Sequence, residues 1–427
     1  MKIAILGFGK EGQSAFRFFD KPENEIFVHD NDLNAELPKD VEFVLGEDAF
    51  NNLDSYGYDL LVRSPGLRLI EETINTPITT PTNEFFKNCK ADIIGVTGTK
   101  GKGTTCTLIS EILIESGRKT HLVGNIGAPA LDELDSIEKN DIVVYEMSSF
   151  QLYDIQKSPH VAVCLMVTED HLDWHKNLYE YHEAKRNIFS HQKENDIAIF
   201  FADNLVSIDL AKSSKATQKY SYGLSGDVYI KDNNIIAFDK IVASTNIVKL
   251  PGAHNLENIC AAIAASWNYT KDTESIKKVL SSFNGLPYHI EHVLTKNNID
   301  YYNDSFSTNP SAAIAAIESF DRPQVIFLGG FDKNVNFNQL AEVIKKHKIR
   351  KIITFAQTGE RIKNILLDHG IEAVEYNSSN SFKEIINSGL KSAKSGDVVL
   401  FSPACASFGM FTDYKSRGEK FNQIIMS

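Results

Sequence analysis

Residues 93–115 constrain this chain more than any other stretch. An apolar run from Ile93 to Thr97 reads as a strand, Thr104 to Glu115 reads as a helix, and only a glycine-rich loop separates them. The loop is Gly98-Thr99-Lys100-Gly101-Lys102-Gly103-Thr104-Thr105. Glycines let backbone N–H groups converge on one point, the helix N-terminus adds partial positive charge, and Lys102 extends from the same turn, so the segment reads as a phosphate cradle. Such a cradle needs a strand before it and a helix after it, which implies a parallel sheet with helices on its faces. The spacing departs from a strict GxxxxGK[ST] loop. Counting from Gly95 leaves five residues before Gly101-Lys102, and Gly103 stands where a hydroxyl residue commonly meets Mg²⁺, so Thr104 or Thr105 takes that role.

The same alternation recurs along all 427 residues. A strand from Lys2 to Leu6 is followed by Gly7, Gly9 and Gly12, a helical stretch from Ser14 to Phe19, and a strand from Ile26 ending at His29-Asp30. This is also the pattern of a dinucleotide fingerprint, with Asp30 where a ribose-binding acid belongs. Another strand, Asp59 to Val62, stops at the turn Ser64-Pro65-Gly66, and the stretch from Pro77 to Pro81 reads as a linker. Farther on, apolar strands run from Ile142 to Tyr145 and from Val161 to Val167. Residues 218–250 change to Tyr, Val and Ile runs broken by Asn-Asn and Gly-Asp turns, the mark of edge antiparallel strands. A helix resumes at Asn255 to Trp267, Gly285-Leu286-Pro287 marks a break, and strands follow at Val325–Leu328, Ile352–Phe355 and Val398–Phe401. The expected fold class is therefore α/β with three domains. These are a Rossmann-like domain over 1–90, a central P-loop ATPase-like parallel sheet with a small antiparallel addition over 91–285, and a Rossmann-like domain over 286–427.

A formal net charge of -12 argues against nucleic-acid and membrane-surface partners, which are recruited by basic patches. Five cysteines lie far apart with no CxxC pair, so neither a zinc knuckle nor a disulfide framework is indicated and a cytoplasmic location is expected. Met1 leads straight into a strand, leaving no room for a signal peptide, and no apolar run approaches the roughly 20 residues of a membrane span.

Acids cluster just past the strands. Glu146, in Glu146-Met147-Ser148-Ser149-Phe150-Gln151, stands at a strand's carboxyl edge where a carboxylate can hold Mg²⁺ directly or through water. Thr168-Glu169-Asp170-His171-Leu172-Asp173 gathers three acids around a histidine in the same setting, and His171 is a candidate for a second metal ion. Lys185, within Glu183-Ala184-Lys185, reads from its helix alone as a solvated charge.

These segments, with His254-Asn255 and Asn258, Asp304-Ser305, and Ser402 to Phe408, occur in the order found in Mur ligases, and the chain resembles that family from about residue 95 to its end. The resemblance implies an ATP-dependent amide ligase of peptidoglycan precursor synthesis, in which a substrate carboxylate is phosphorylated and an amino acid's amine attacks the acyl phosphate. It implies that Lys102 and Thr104 handle ATP phosphates and Mg²⁺, Glu146 the first metal and His171 the second, with Asn255, Asn258 and Asp304 at the nucleotide. Lys185 matches the family's carbamylated lysine, and Asn125 an asparagine near the UDP-muramyl substrate. Ser407, Phe408 and Tyr414 resemble the signature of the branch that adds D-glutamate, with Lys333 as the cationic partner and Thr308 as a further contact. The first domain is similar to the family's UDP module, which assigns Gly7, Gly9 and Asp30 to the uridine diphosphate and Ser64, Pro65 and Gly66 to closing its pocket. UDP-N-acetylmuramoyl-L-alanine and D-glutamate are the implied substrates, ATP and Mg²⁺ the cofactors, and a monomer the expected state.

Two departures stand out. The family's usual His-Arg pair after Leu-Pro is Tyr288-His289 here, and the lysine of its Asp-Ser-Lys motif is Phe306. Two rival readings follow from the residues: a sister amide ligase, such as a folylpolyglutamate synthetase with glycine after the loop lysine, and a silent nucleotide-binding protein. Retention of Lys102, Glu146, His171 and Lys185 together argues against the second.

Overall fold

Alternation within the first strand sets the build of the N-terminal layer. Ile3 and Ile5 pack with Phe8, Ala15 and Phe19 on one face, while Ala4 and Leu6 meet Leu53, Tyr58 and Leu61 on the other. A strand buried on both faces belongs inside a helix-covered parallel sheet. The computed structural model describes residues 1–39, 41–69, 74–377 and 379–427. Strands β1 (Lys2–Leu6), β2 (Glu25–Asp30), β3 (Glu42–Leu45), β4 (Leu60–Arg63) and β5 (Ile78–Thr79) form a parallel sheet in the order β3-β2-β1-β4-β5. The helix Lys10–Phe19 crosses so close to β1 that a Cβ on Gly12 would fall 1.9 Å from the Gly7 carbonyl oxygen. Only glycine fits there.

The stretch from Pro77 to Pro81 is not a linker. Ile78–Thr79 pairs with β4, and Pro81 opens the helix Pro81–Asn88 at its first position, where a missing N–H costs nothing. Thr80 caps that helix by accepting from the Asn83 N–H at 3.1 Å.

The central sheet has nine strands: β6 (Asp92–Thr97), β7 (Thr120–Gly124), β8 (Ile142–Glu146), β9 (Val161–Cys164), β10 (Ile197–Phe201), β11 (Gln218–Gly223), β12 (Val228–Lys231), β13 (Asn234–Ala237) and β14 (Lys240–Ser244). Their order is β14-β13-β12-β11-β10-β9-β6-β8-β7, parallel from β7 to β12 and antiparallel over the last two pairs. The antiparallel addition turns at Asp232-Asn233 and Phe238-Asp239, all four with positive φ. Every residue of β8 and β9 is buried. Since β6 sits between β8 and β9, the carboxyl ends of these neighbours open onto one crevice, where ligands of such sheets bind.

The C-terminal sheet comprises β15 (Glu291–Lys296), β16 (Ile299–Asn303), β17 (Gln324–Gly329), β18 (Ile349–Phe355), β19 (Val374–Tyr376) and β20 (Val398–Phe401), in the order β15-β16-β20-β17-β18-β19. It is parallel except for the β15–β16 hairpin, which turns at Asn297-Asn298 with φ of 55° and 59°. Ile326, Leu328 and Leu400 face one core, and Val325, Phe327 and Phe401 the opposite one. The chain forms two compact units, Met1–Val248 with Leu256–Ser281, and Lys249–Asn255 with Ser282–Ser427. Among the described residues no helix is long and apolar enough to cross a membrane.

Candidate active site

The glycine loop is held from both sides. Gly98 has φ of 153° and lies so near β9's continuation that a Cβ would approach the Leu165 Cβ to 2.7 Å, while Thr99 donates its N–H to the Met166 carbonyl at 2.9 Å. Gly101 precedes the helix Lys102–Glu115 at φ of 85°, and a Cβ there would stand 2.2 Å from the Asn258 Oδ1. Asn258 thus touches the loop directly. Lys102 Nζ donates to the carbonyls of Gly98 and Thr99 at 3.1 Å each. Thr104 is half-buried, whereas Thr105 is fully buried with its hydroxyl oxygen unpartnered. Gly95, from which a standard loop spacing is counted, lies inside β6, where a Cβ would meet the Pro159 ring at 2.6 Å; its role is packing.

Lys185 is the least ordinary residue of the site. It is 2% exposed, in the helix Leu178–Ser190, and its Nζ donates to the Gly98 carbonyl at 2.8 Å and, at 3.4 Å, to the Thr97 hydroxyl. Burial, and then the neighbouring Lys102, hold its ammonium down at about 7. Glu146, at the end of β8, is also buried; desolvation raises its carboxyl pKa, and Lys102 and Lys185 pull it back. Two lysines and a buried carboxylate therefore share the loop's electrostatics. His171 follows β9 at φ of 54°, exposed, with its Nε2 3.6 Å from Asp170 and its ring 4.8 Å from Phe150. Among the described residues no group of three or more His, Cys, Asp and Glu side chains is spaced to cage a metal. Mg²⁺ commonly binds through one or two protein groups plus substrate phosphates, so Glu146 beside a hydroxyl-bearing loop suits that mode.

A cavity of about 420 Å³ lies over the carboxyl ends of β1 and β4. Gly7, Gly9, Ser64, Pro65, Gly66 and Asn125 all line it. Asp30 is absent from the lining; its carboxylate accepts the N–H groups of Phe8 at 2.5 Å and Asp32 at 2.8 Å, and Asn31 reaches the cavity instead. Lys10, Glu11, Phe150 and Gln151 also line the wall, and none of the four is singled out by the sequence as a cavity residue. Glu11 hides because an acid in a helix's first turn is ordinary. Phe150 and Gln151 lie inside the Glu146 motif, and their signal was that proximity. Behind the wall, Trp174 donates from its indole to the Gly66 carbonyl at 2.9 Å, and Arg68 grips Glu180 with two bonds of 2.9 and 2.8 Å. His175, deeply buried, bonds the Ser149 hydroxyl at 3.0 Å, and burial lowers its pKa to about 4.

In the second unit, parallel neighbours β16, β20 and β17 bring Asp304 with Thr308, Ser407 with Phe408, and Lys333 to one sheet edge. Asp304 is buried, accepts from the Ser402 hydroxyl at 2.6 Å and the Ile290 N–H at 3.2 Å, and is pushed up to about 7 by burial. Lys333 is exposed, and Phe408, also exposed, meets Phe331 edge-on at 6.0 Å. Asn255 belongs to this unit and donates to the Pro251 carbonyl at 2.6 Å. The two departures come together: His289 stacks on Phe306 at 3.8 Å, and Phe306 meets Tyr414 edge-on at 5.0 Å.

The chain is similar to known proteins along nearly its whole length. Residues 96–266 match the Mur ligase middle domain, and residues 290–405 the Mur ligase glutamate ligase domain. The chain is 33% identical over 446 residues to the UDP-N-acetylmuramoylalanine–D-glutamate ligase of Clostridium perfringens, covering 99% of this chain and 96% of that one. Among solved structures it resembles the UDP-N-acetylmuramate-alanine ligase of Thermotoga maritima, with a TM-score of 0.62 at 18% identity over 100% and 99% of the two chains. It also resembles the MurF ligase of that organism in complex with ADP, with a TM-score of 0.57 at 20% identity over 86% and 88%.

Proposed function

The chain belongs to the Mur ligase family, and from that premise we propose how its loop, lysines and cavity divide the work of amide formation. The protein is an ATP-dependent ligase that joins D-glutamate to UDP-N-acetylmuramoyl-L-alanine in peptidoglycan synthesis, as its full-length relatives are named. The observation that carries the assignment of roles is the meeting of Lys102 and Lys185 on the Gly98 carbonyl beside buried Glu146.

In this reading the loop from Gly98 to Thr105 receives the ATP phosphates through backbone N–H groups, and Lys102 turns from its loop carbonyls to the outer phosphates. Asn258 braces Gly101 beside the nucleotide, and Asn255 and Asp304 are further nucleotide contacts. The UDP portion of the substrate lies in the cavity of Gly7, Gly9, Ser64, Pro65, Gly66 and Asn125, with Asp30 fixing the turn that shapes it. Thr308, Lys333, Ser407, Phe408 and Tyr414 receive D-glutamate, Lys333 matching its side-chain carboxylate in charge. Mg²⁺, when bound, neutralises phosphate charge; Thr104 and Glu146 would hold a first ion and His171 a second, with a carbamate on Lys185 helping to hold the metal region. The substrate carboxylate attacks the γ-phosphorus, ADP leaves, and the D-glutamate amine displaces phosphate from the acyl phosphate. Protein groups contribute position and fixed charge rather than covalent chemistry. The protein works as a cytoplasmic monomer.

Hydroxylamine trapping tests the order of steps. With ATP and UDP-N-acetylmuramoyl-L-alanine but no D-glutamate, an acyl hydroxamate should accumulate in the native enzyme and be missing in Lys102→Ala. Hydroxamate that appears only when D-glutamate is present would refute this sequence of events.

A further inference from the structure

The cavity over β1 and β4 contains an acid where an anionic ligand is expected. Glu11 lines it beside Lys10, in the first turn of the helix Lys10–Phe19, and the carboxyl oxygen Oε2 is sealed from solvent without a hydrogen-bond partner. Among the described residues, the one charge that acts on it appreciably is another acid. From the helix Ala130–Glu133 comes Asp132, whose carboxylate is already gripped by Arg17 at 2.9 and 2.6 Å. From β8 comes the Tyr145 phenol, which is close enough to feel Glu11's charge and donates to the Thr82 hydroxyl at 3.4 Å. Lys10 is exposed. Burial first, and Asp132 second, raise the Glu11 carboxyl to about 7.

An ionised carboxylate with one oxygen buried and unpartnered is costly, and a phosphate brought into the same cavity adds like-charge repulsion. The neutral acid eases both, because the sealed Oε2 then carries no charge and an O–H on the other carboxyl oxygen is a donor of the kind a phosphate oxygen accepts. We propose that Glu11 meets the diphosphate of the sugar nucleotide as a neutral carboxylic acid, so that substrate capture takes up one proton from solution. This rests on reading the cavity as the UDP subsite. The proton balance is simple: an ionised Glu11, a proton and the ligand combine into a complex containing the protonated acid, with no other bond made or broken.

The sign of the pH dependence follows. Ligand phosphate raises the Glu11 pKa further in the complex, so affinity is constant at pH values below about 7. It falls by up to about tenfold per pH unit above that, until the pKa of the complex is passed. Calorimetric titration of the full-length protein with UDP-N-acetylmuramoyl-L-alanine, in buffers of differing ionisation enthalpy at about pH 8, reads the proton directly. The ligand's diphosphate is a diester and does not titrate near neutrality. The wild type should take up close to one proton per ligand. Glu11→Gln keeps a donor at the same place, so it should bind with no uptake and with an affinity flat in pH. Zero uptake in the wild type, or equal uptake in both proteins, would overturn the proposal while leaving the subsite reading intact. So would a Mg²⁺-dependent affinity lost in Glu11→Gln at every pH, since that marks a working carboxylate. If neither protein bound this ligand while both still bound ATP, the subsite reading would fall, and the proposal with it.

Discussion

Three single positions carry most of the weight at the nucleotide end. Lys102→Ala removes the ammonium that turns from its loop carbonyls to the phosphates, and turnover should fall by at least about 100-fold, the size of effect seen when one preorganised donor is deleted. Its thermal midpoint should stay within about 2 °C of the parent, since a half-buried lysine on its own loop supports little packing. Gly101→Ala is the converse. At φ of 85°, with Asn258 2.2 Å from the new Cβ, it should lose about 1–2 kcal/mol in denaturant unfolding and raise the KM for ATP. Lys185 combines a stability effect with a chemical one. Its ammonium titrates near 10.5 unfolded and about 7 folded, so the unfolded chain binds the extra proton between those values and stability rises with pH across that window. Lys185→Met should flatten that part of the stability profile; an unchanged slope would show that another group is responsible. The neutral amine present above pH 7 is also the form that adds CO₂. Stripping dissolved CO₂ should lower activity, and bicarbonate should restore it.

At the scale of elements, sheets and loops were legible where one motif is contiguous in sequence and obscure where two distant segments meet. The run from Ile93 through the glycines to Glu115 could be read because strand end, loop and helix start are adjacent. The strand ends at Thr97 and the helix begins at Lys102, two residues earlier than its apolar pattern suggests. Pro77 to Pro81 misled because proline signals both a break and a helix's first turn, and a two-residue strand has no period to detect. Lys185 looks solvated in its own helix; the end of β6 and the Gly98 carbonyl, 87 residues away in sequence, help to bury it. The bracing of the Gly66 loop is equally invisible in sequence, since Arg68–Glu180 and Trp174–Gly66 join segments more than 100 residues apart. With both partners partly buried and the geometry bidentate, Arg68→Met and Glu180→Gln should each cost about 1–2 kcal/mol and couple by about 1 kcal/mol in a double-mutant cycle. Trp174→Phe should raise the KM for the UDP substrate several-fold and leave that for ATP alone.

For the molecule as a whole, β6, β8 and β9 place Gly98, Glu146 and the segment bearing His171 at one crevice, while β16, β17 and β20 place Asp304, Lys333 and Ser407 at another sheet edge. Replacement of the family's His-Arg pair and lysine by Tyr288, His289 and Phe306 puts a stacked aromatic group where the resemblance expects cations on the nucleotide-facing wall of the C-terminal domain. Alongside ATP contacts, amino-acid preference is thus a property in which this chain has room to differ from its relatives. Phosphate release with ATP, UDP-N-acetylmuramoyl-L-alanine and a panel of D- and L-amino acids measures it directly. Stoichiometric ADP, phosphate and amide product are expected with D-glutamate, and background release with L-glutamate or when any one substrate is withheld. Turnover driven by tetrahydrofolate and L-glutamate, or no dependence on the UDP substrate, would contradict that expectation.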